Sequence, residues 1–373
     1  MKTMHSHKPL RWVIKIGSAL ITRGGQGLDH VNLQHWVDQI AELIGQGYQI
    51  VLVSSGAVAE GMQRMGWTQR PTALHELQAA AAIGQAGLIQ AWEHCFQQRG
   101  LHTAQVLLTH DDLSDRQRYL NARSTLQALV ELGVIPIINE NDAIANDELR
   151  FGDNDSLAAL VTNLLEADQM VLLTDQPGLY TADPRQDPSA QLIETANAQD
   201  AMLDDMASPI GGSLGRGGMY TKLRAARLAS RSGASTVIAA GLQPDIIPAL
   251  ARGEAHGTLL QSGQAPEAAR KRWLAGQLQV CGHVVVDTGA AKMLCTAGTS
   301  LLAVGVMSVV GEFQRGELIA CLDTAGHEIA RGLVNYSAEE TRQICGHSSM
   351  EIASLLGYVH EDELIHRNNL VLI

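Results

Sequence analysis

Trp12-Val13-Ile14-Lys15-Ile16-Gly17-Ser18 places one lysine inside an otherwise apolar run that stops at glycine and serine. Continuous apolar runs of this length fit strands buried on both faces. The pattern recurs: Gln49 to Val53 runs into Ser54-Ser55-Gly56, and Val134 to Ile138 into Asn139-Glu140-Asn141-Asp142. Gln169 to Leu173 precedes Thr174-Asp175, and Thr236 to Ala240 precedes Gly241. Between the runs, Leu33, Trp36, Val37, Ile40, Ala41 and Ile44 recur at helical spacing before Gly45 and Gly47. Tyr119, Ala122, Leu126, Leu129 and Val130 do the same before Gly133. Strands alternating with helices predict an α/β fold, a mostly parallel sheet sandwiched by helices. Ligands of such sheets bind beyond the carboxyl ends of the strands, where the Gly, Ser, Asn and Asp residues lie here.

With 373 residues the chain exceeds what one core usually holds, roughly 250 to 300 residues, and suits two domains. Apolar residues make up 46% but aromatics only 4%, so Ala, Val, Leu and Ile must build the core between layers. Lys plus Arg number 27 against 39 Asp plus Glu, a formal charge of −12 that repels nucleic acid and anionic membranes. The five cysteines, Cys95, Cys281, Cys295, Cys321 and Cys345, are scattered without CxxC spacing, as expected of reduced thiols in a cytoplasmic protein. MKTMHSHKPL lacks the apolar core of a signal peptide, and no stretch reaches the ~18 apolar residues of a membrane helix. A soluble, untargeted protein with no membrane partner is therefore expected.

The strand-and-helix pattern fades near residue 260. We expect a catalytic domain over 1–260 and a linker over 261–277 that contains Arg270-Lys271-Arg272-Trp273. A small β-rich domain over 278–373 should follow, because short apolar runs there alternate with turns at Gly289, Gly298, Gly305, Gly311 and Gly316.

Several strand ends carry candidate chemistry. Lys15 must reach the end of its strand, find an anion, or point to water from an edge strand, since burying it unpaired is costly. Gly17 and Ser18 could offer backbone N–H groups to a phosphate. Ser54-Ser55-Gly56 could hold an anion at a helix N-terminus or serve as an ordinary cap. Asn139-Glu140-Asn141-Asp142 and Gly152-Asp153-Asn154-Asp155 gather acids and amides at two strand-to-helix turns. Such carboxylates can bind an ammonium group, position lysines or hold a metal ion, and Asn and Asp also favour turns for local reasons. The densest glycine segment, Gly211 to Lys222, enters a helix and would let the backbone approach phosphates, with Lys222 in the first turn. It lacks the GxxxxGK[ST] spacing of a Walker A loop, and no strand enters a GxGxxG turn of the dinucleotide type.

Taken in order, VIKIGSALIT, VLVSSGAVAEG, AAIGQ, ARSTLQAL, PIINENDAI, FGDNDSLAA, VLLTDQPGLYTADPR and GRGGMYTKLRAA resemble the glutamate 5-kinases of the amino acid kinase family. The tail, with RKRWL, DTGA and TSLLAVGV, resembles the PUA domain that follows the kinase domain in bacterial members of this length. The resemblance implies ATP-dependent phosphorylation of the γ-carboxylate of L-glutamate, the first step of proline biosynthesis. By position, Lys15 and Lys222 would contact the transferring phosphoryl group and Asp155 would hold both lysines. Ser55, Asp142 and Asn154 would bind L-glutamate. Lys15, Thr174, Asp175 and the segment Arg216, Gly217, Gly218, Met219, Tyr220, Thr221 and Lys222 would bind ATP, while Gly17, Ser18 and Gly56 would cradle phosphate. Two anions meet in this reaction, so direct in-line transfer would rest on positioning and fixed positive charge, and the ionised carboxylate needs no general base.

Mg²⁺ would arrive on the ATP phosphates, without a protein metal site. The same resemblance implies feedback inhibition by proline, a homo-oligomer, and a downstream glutamyl-phosphate reductase that consumes the labile product. Arg216 and Tyr220 stand where the family more often carries small residues, Thr288 where it carries an acid, and Val304 where lysine is common. From Leu274 onward 5 Lys plus Arg face 11 Asp plus Glu, a local charge of 5 − 11 = −6, which argues against RNA as a partner of the tail. Two other readings remain open: a sister kinase acting on N-acetylglutamate, aspartate or carbamate, and an RNA-binding or regulatory protein whose kinase domain is a relic.

Overall fold

Side chains along β1 (Arg11–Ile16) alternate between two cores. Trp12, Ile14 and Ile16 enter one, while Val13 enters the other, and the period of two carries Lys15 to the side of Val13. The computed structural model describes residues 9–22, 27–145, 153–207, 218–263, 280–297 and 299–372. The chain divides into two compact units, Met1–Glu267 and Ala268–Ile373.

In the first unit β1 is followed by α1 (Ser18–Ile21), α2 (His30–Gly45), β2 (Gln49–Val53), α3 (Ala57–Arg64) and α4 (Leu74–Gln97). Next come β3 (Thr103–Leu108), α5 (His110–Ser114), α6 (Arg116–Glu131), β4 (Ile135–Glu140), α7 (Asn154–Leu165) and β5 (Gln169–Thr174). The unit closes with β6 (Thr195–Asn197), α8 (Met202–Met206), α9 (Met219–Ala229), β7 (Ser235–Ala240), α10 (Ile246–Ala251) and β8 (Thr258–Gln261). The strands form one sheet in the order β3-β4-β2-β1-β5-β7-β8-β6, parallel throughout except between β7 and β8. One face packs on α2, α4 and α10 through Trp36, Ile40, Trp92, Phe96 and Ile247, and the other on α6, α7 and α9 through Leu126, Leu157, Val161 and Ala226. This is the expected parallel sheet with helices on both sides.

Two boundaries matter for the site, and the first differs from expectation. β4 runs on through Asn139 and Glu140, which pair with Leu107 and Leu108 of β3, so the first half of the acidic cluster is strand and not turn. Helix α9 starts at Met219, so the last residues of the glycine segment are already helical. Edge strand β3 was not expected at all: its TAQVLL is only half-buried and lacks a continuous apolar run.

In the second unit β9 (Gly282–Val286), α11 (Thr288–Ala297), β10 (Val306–Gly311), β11 (Leu318–Leu322) and β12 (Glu328–Leu333) precede α12 (Ala338–Ile344), α13 (Ile352–Leu356) and β13 (Leu370–Leu372). A mixed sheet in the order β10-β9-β11-β12-β13 encloses Val284, Phe313, Ile319, Tyr336 and Ile344. It carries more helix than its sequence suggests. A capping box at Ser337 and Glu340 starts α12. The expected linker falls largely on residues outside those described. No described helix is long and apolar enough to cross a membrane.

Candidate active site

The carboxyl ends of β4, β2, β1 and β5 lie side by side in that order, so their terminal residues converge on one edge of the sheet. At the centre stands Asp155, in the first turn of α7 and with no exposed surface. Its helix starts there because the side chain of Asp153 accepts the N–H of Ser156 at 2.7 Å, closing the N-cap. Lys15 Nζ, from β1, donates to Asp155 Oδ1 at 2.5 Å, and Lys222 Nζ, from the first turn of α9, to Oδ2 at 3.1 Å. Both lysine side chains are only 8% exposed. Thr221 Oγ1 lies 3.1 Å from the same Oδ2 and 2.8 Å from Gly218 O, so its one hydroxyl proton is shared between α7 and the start of α9.

Burial by itself would raise the Asp155 carboxyl, but the charges of Lys15 and Lys222 and their hydrogen bonds outweigh it and hold the group well below the usual carboxylate range. Burial lowers Lys15 from its ordinary value, and Asp155 opposes that shift without cancelling it. Asp153 is raised, first by burial and then by the charge of Asp155. The cluster thus gathers two lysine amines around one ionised carboxylate.

On the β2 and β4 side, Asn154 Nδ2 donates to Ser54 O at 2.6 Å, to Asn139 Oδ1 at 2.9 Å and to Ser55 Oγ at 3.0 Å. Gly56, N-cap of α3, has φ 99°, a left-handed conformation suited to glycine. Asp142 lies in the turn directly after β4, where Asn141 N–H donates to Leu108 O and Gln78 Nε2 to Ala145 O. On the other side of β1, Thr174 ends β5, and its hydroxyl donates to Asp175 Oδ1 at 3.0 Å. Gly218 is the N-cap of α9, Met219 packs against the core beneath it, and Tyr220 is exposed. Arg216 and Gly217 lie outside the described residues.

One expected backbone donor is engaged otherwise. Gly17 N–H donates to Leu173 O at 3.1 Å, knitting β1 to β5, and so does not face a phosphate in this conformation. Ser18 opens α1 immediately after it. Sequence reasoning passed over Asn139 and Gln85: both occur in quoted motifs, but neither was singled out. Asn139 Nδ2 donates to Gln85 Oε1 at 2.8 Å, and Asn139 is 2% exposed. Only the extension of β4 through Asn139 places it there.

A parallel α/β sheet at whose edge one buried carboxylate holds a strand lysine and a helix lysine suits transfer of an anionic group. The chain belongs to the amino acid kinase family, whose model matches residues 10–240. Within it the chain is 61% identical over 363 residues to the glutamate 5-kinase of Nitrosospira multiformis, which covers 97% of this chain and 98% of that one. It is 60% identical over 361 residues to the glutamate 5-kinase of Methylobacillus flagellatus, covering 97% of each. The PUA domain model matches residues 282–356 of the second unit.

Proposed function

We propose that the protein phosphorylates the γ-carboxylate of L-glutamate with ATP, giving L-glutamyl 5-phosphate and ADP as the first step of proline biosynthesis. The observation that carries this reading is the Lys15–Asp155–Lys222 cluster between two sets of strand ends, in a chain whose full-length relatives are named glutamate 5-kinases. Ser55, Asn154 and Asp142 form the acceptor side, with Asp142 pairing with the substrate ammonium. Thr174, Asp175 and the segment Arg216 to Lys222 form the nucleotide side, and Ser18 and Gly56 contribute to the phosphate-binding edge.

The transfer runs in line from ATP to an acceptor oxygen already ionised at pH 7, so no side chain has to remove a proton. Lys15 and Lys222 hold two positive charges where the charge of the transferring group spreads over its oxygens. Asp155 fixes their positions without neutralising both. Stabilisation by preorganised charge of this kind needs no reorganisation at the moment of reaction. Both Asp155 oxygens are already engaged by the lysines and Thr221, a donor set that leaves Mg²⁺ to be carried on the nucleotide phosphates, where it would neutralise phosphate charge.

We further propose a cytoplasmic homo-oligomer inhibited by proline at the glutamate pocket, whose labile acyl phosphate passes to a reductase. The second unit has no RNA partner in this reading, given the charge of −6 from Leu274 onward. The test is release of ADP from ATP with L-glutamate, with the product trapped by hydroxylamine as the γ-hydroxamate. N-acetylglutamate, which has no ammonium group, should be a poor acceptor. Equal turnover of the two would remove Asp142 from its role, and no turnover of glutamate would overturn the activity.

A further inference from the structure

We infer that Gln85, on α4, is a positioning residue that holds Asn139 and, through it, the Asn154 amide of the acceptor pocket in place. The inference rests on the glutamate-kinase reading above and assigns a task to a helix outside the strand ends.

Main-chain groups set the polarity of the amide chain. Glu140 N–H can only donate, and it donates to Asn139 Oδ1 at 3.0 Å, so the oxygen of the Asn139 amide must lie on that side. Its Nδ2 is thereby turned to Gln85, whose Oε1 accepts at 2.8 Å. Ser54 O can only accept, and it fixes the nitrogen of Asn154, which also donates to Asn139 Oδ1. Two N–H bonds on Asn154 are shared among three acceptors. Among the described residues its Oδ1 has no donor, which leaves it to serve one such as a substrate ammonium.

Without an acceptor at position 85 the buried Asn139 Nδ2 would have no partner in that direction. Flipping is no remedy, because it would set the Asn139 NH₂ against both Glu140 N–H and the NH₂ of Asn154; a shift of the Asn139 side chain instead moves the acceptor that holds Asn154.

Helix α4 is suited to impose this order. Trp92, seven residues beyond Gln85 on the same face, donates from Nε1 to Ser54 Oγ at 2.9 Å. Adjacent to Gln85, Gly84 lets α4 press on α3: a Cβ there would stand 1.9 Å from Ala57 O. The acceptor side therefore leans on α4 through two hydrogen bonds and a backbone contact.

The test is steady-state kinetics on the full chain, with glutamate and ATP varied separately. Gln85→Leu should raise the glutamate KM about tenfold, as expected for one unsatisfied buried polar group, with the ATP KM changed less than about twofold. Gln85→Glu keeps an acceptor oxygen and should restore most of the glutamate KM. If the leucine variant does not fold, Gln85→Met keeps the length of the side chain, loses the oxygen, and should show the same split. An unmoved glutamate KM, an equal rise in both KM values, or no rescue by glutamate at position 85 would overturn the inference. Absence of glutamate turnover in the unmodified protein would overturn the parent activity, and this inference with it. Normal turnover with an unmoved KM in the variants overturns this inference alone.

Discussion

Asp155→Asn keeps the shape of the central side chain and removes its charge. In the native protein one carboxylate with no exposed surface faces two ammonium groups on side chains 8% exposed. The variant would bury two like charges without the anion that both contact. Removing one member of a buried pair costs about 3–5 kcal/mol. That is a large share of the roughly 5–15 kcal/mol by which a domain is stable. The first transition in urea should move to markedly lower concentration, followed on the full chain because two units need not unfold together. Burial already lowers Lys15, and losing Asp155 removes the main opposing influence, so Lys15 should shed its proton more readily. With the preorganised charge reduced and the lysines no longer held, kcat should fall by at least about 10²-fold, the scale for deleting one such electrostatic contact. Asp155→Asn combined with Lys15→Met removes one of the two uncompensated charges. It should recover part of the stability and none of the activity. Near-native unfolding and turnover in Asp155→Asn would refute the argument, as would recovery of activity in the double variant.

Other outcomes follow from the same geometry. Lys222→Ala should lose about 10²-fold or more in kcat with little change in glutamate KM, whereas Asp142→Ala should raise that KM, and steady-state kinetics separates the two. Because Lys15 lies below its ordinary value, kcat should decline on the alkaline side before the usual lysine range near 10.5; a rate flat through that range would count against Lys15 as the charged group. Asp155 is depressed in the folded state, so its contribution is complete above the unfolded carboxyl value of about 4 and is lost as pH falls through the lower folded value. Acid titration of the unfolding midpoint should therefore show a loss in the native protein that is absent in Asp155→Asn. Gly84→Ala would drive a Cβ into backbone at 1.9 Å and should lower the melting temperature by several degrees, read by calorimetry.

The five strand runs and the two helical stripes were legible because burial on both faces leaves continuous apolar sequence and α2 and α6 keep one face dry. Trp36, Val37 and Ile40 are indeed fully buried in α2, and Leu126 in α6. What could not be read was partnership across distance. Nothing in the apolar run of β1 says that its lysine meets a carboxylate 140 positions later, and Asp155 meets Lys222 across another 67. Motif resemblance supplied that pairing. Asn139 escaped because an asparagine beside Glu, Asn and Asp has the composition of a turn, whereas pairing with β3 keeps it extended. Gln85 escaped because a glutamine in an Ala- and Gly-rich helix carries no sign of its partner.

The sheet order explains why residues so far apart in sequence share one centre. With β1 between β2 and β5, a single lysine at its carboxyl end stands between the Ser54-Ser55 turn and Thr174. Parity does the rest: alternate residues of β1 enter opposite cores, so a shift of one residue would turn Lys15 toward Trp36 and Trp92 and away from Asp155. An ammonium group there would face an apolar layer, at the cost of an unpaired buried charge. Packing and chemistry therefore select the same register. Exchanging Lys15 and Ile16 leaves composition unchanged and should abolish both stability and turnover, whereas a tolerated exchange would show that strand parity does not place the lysine.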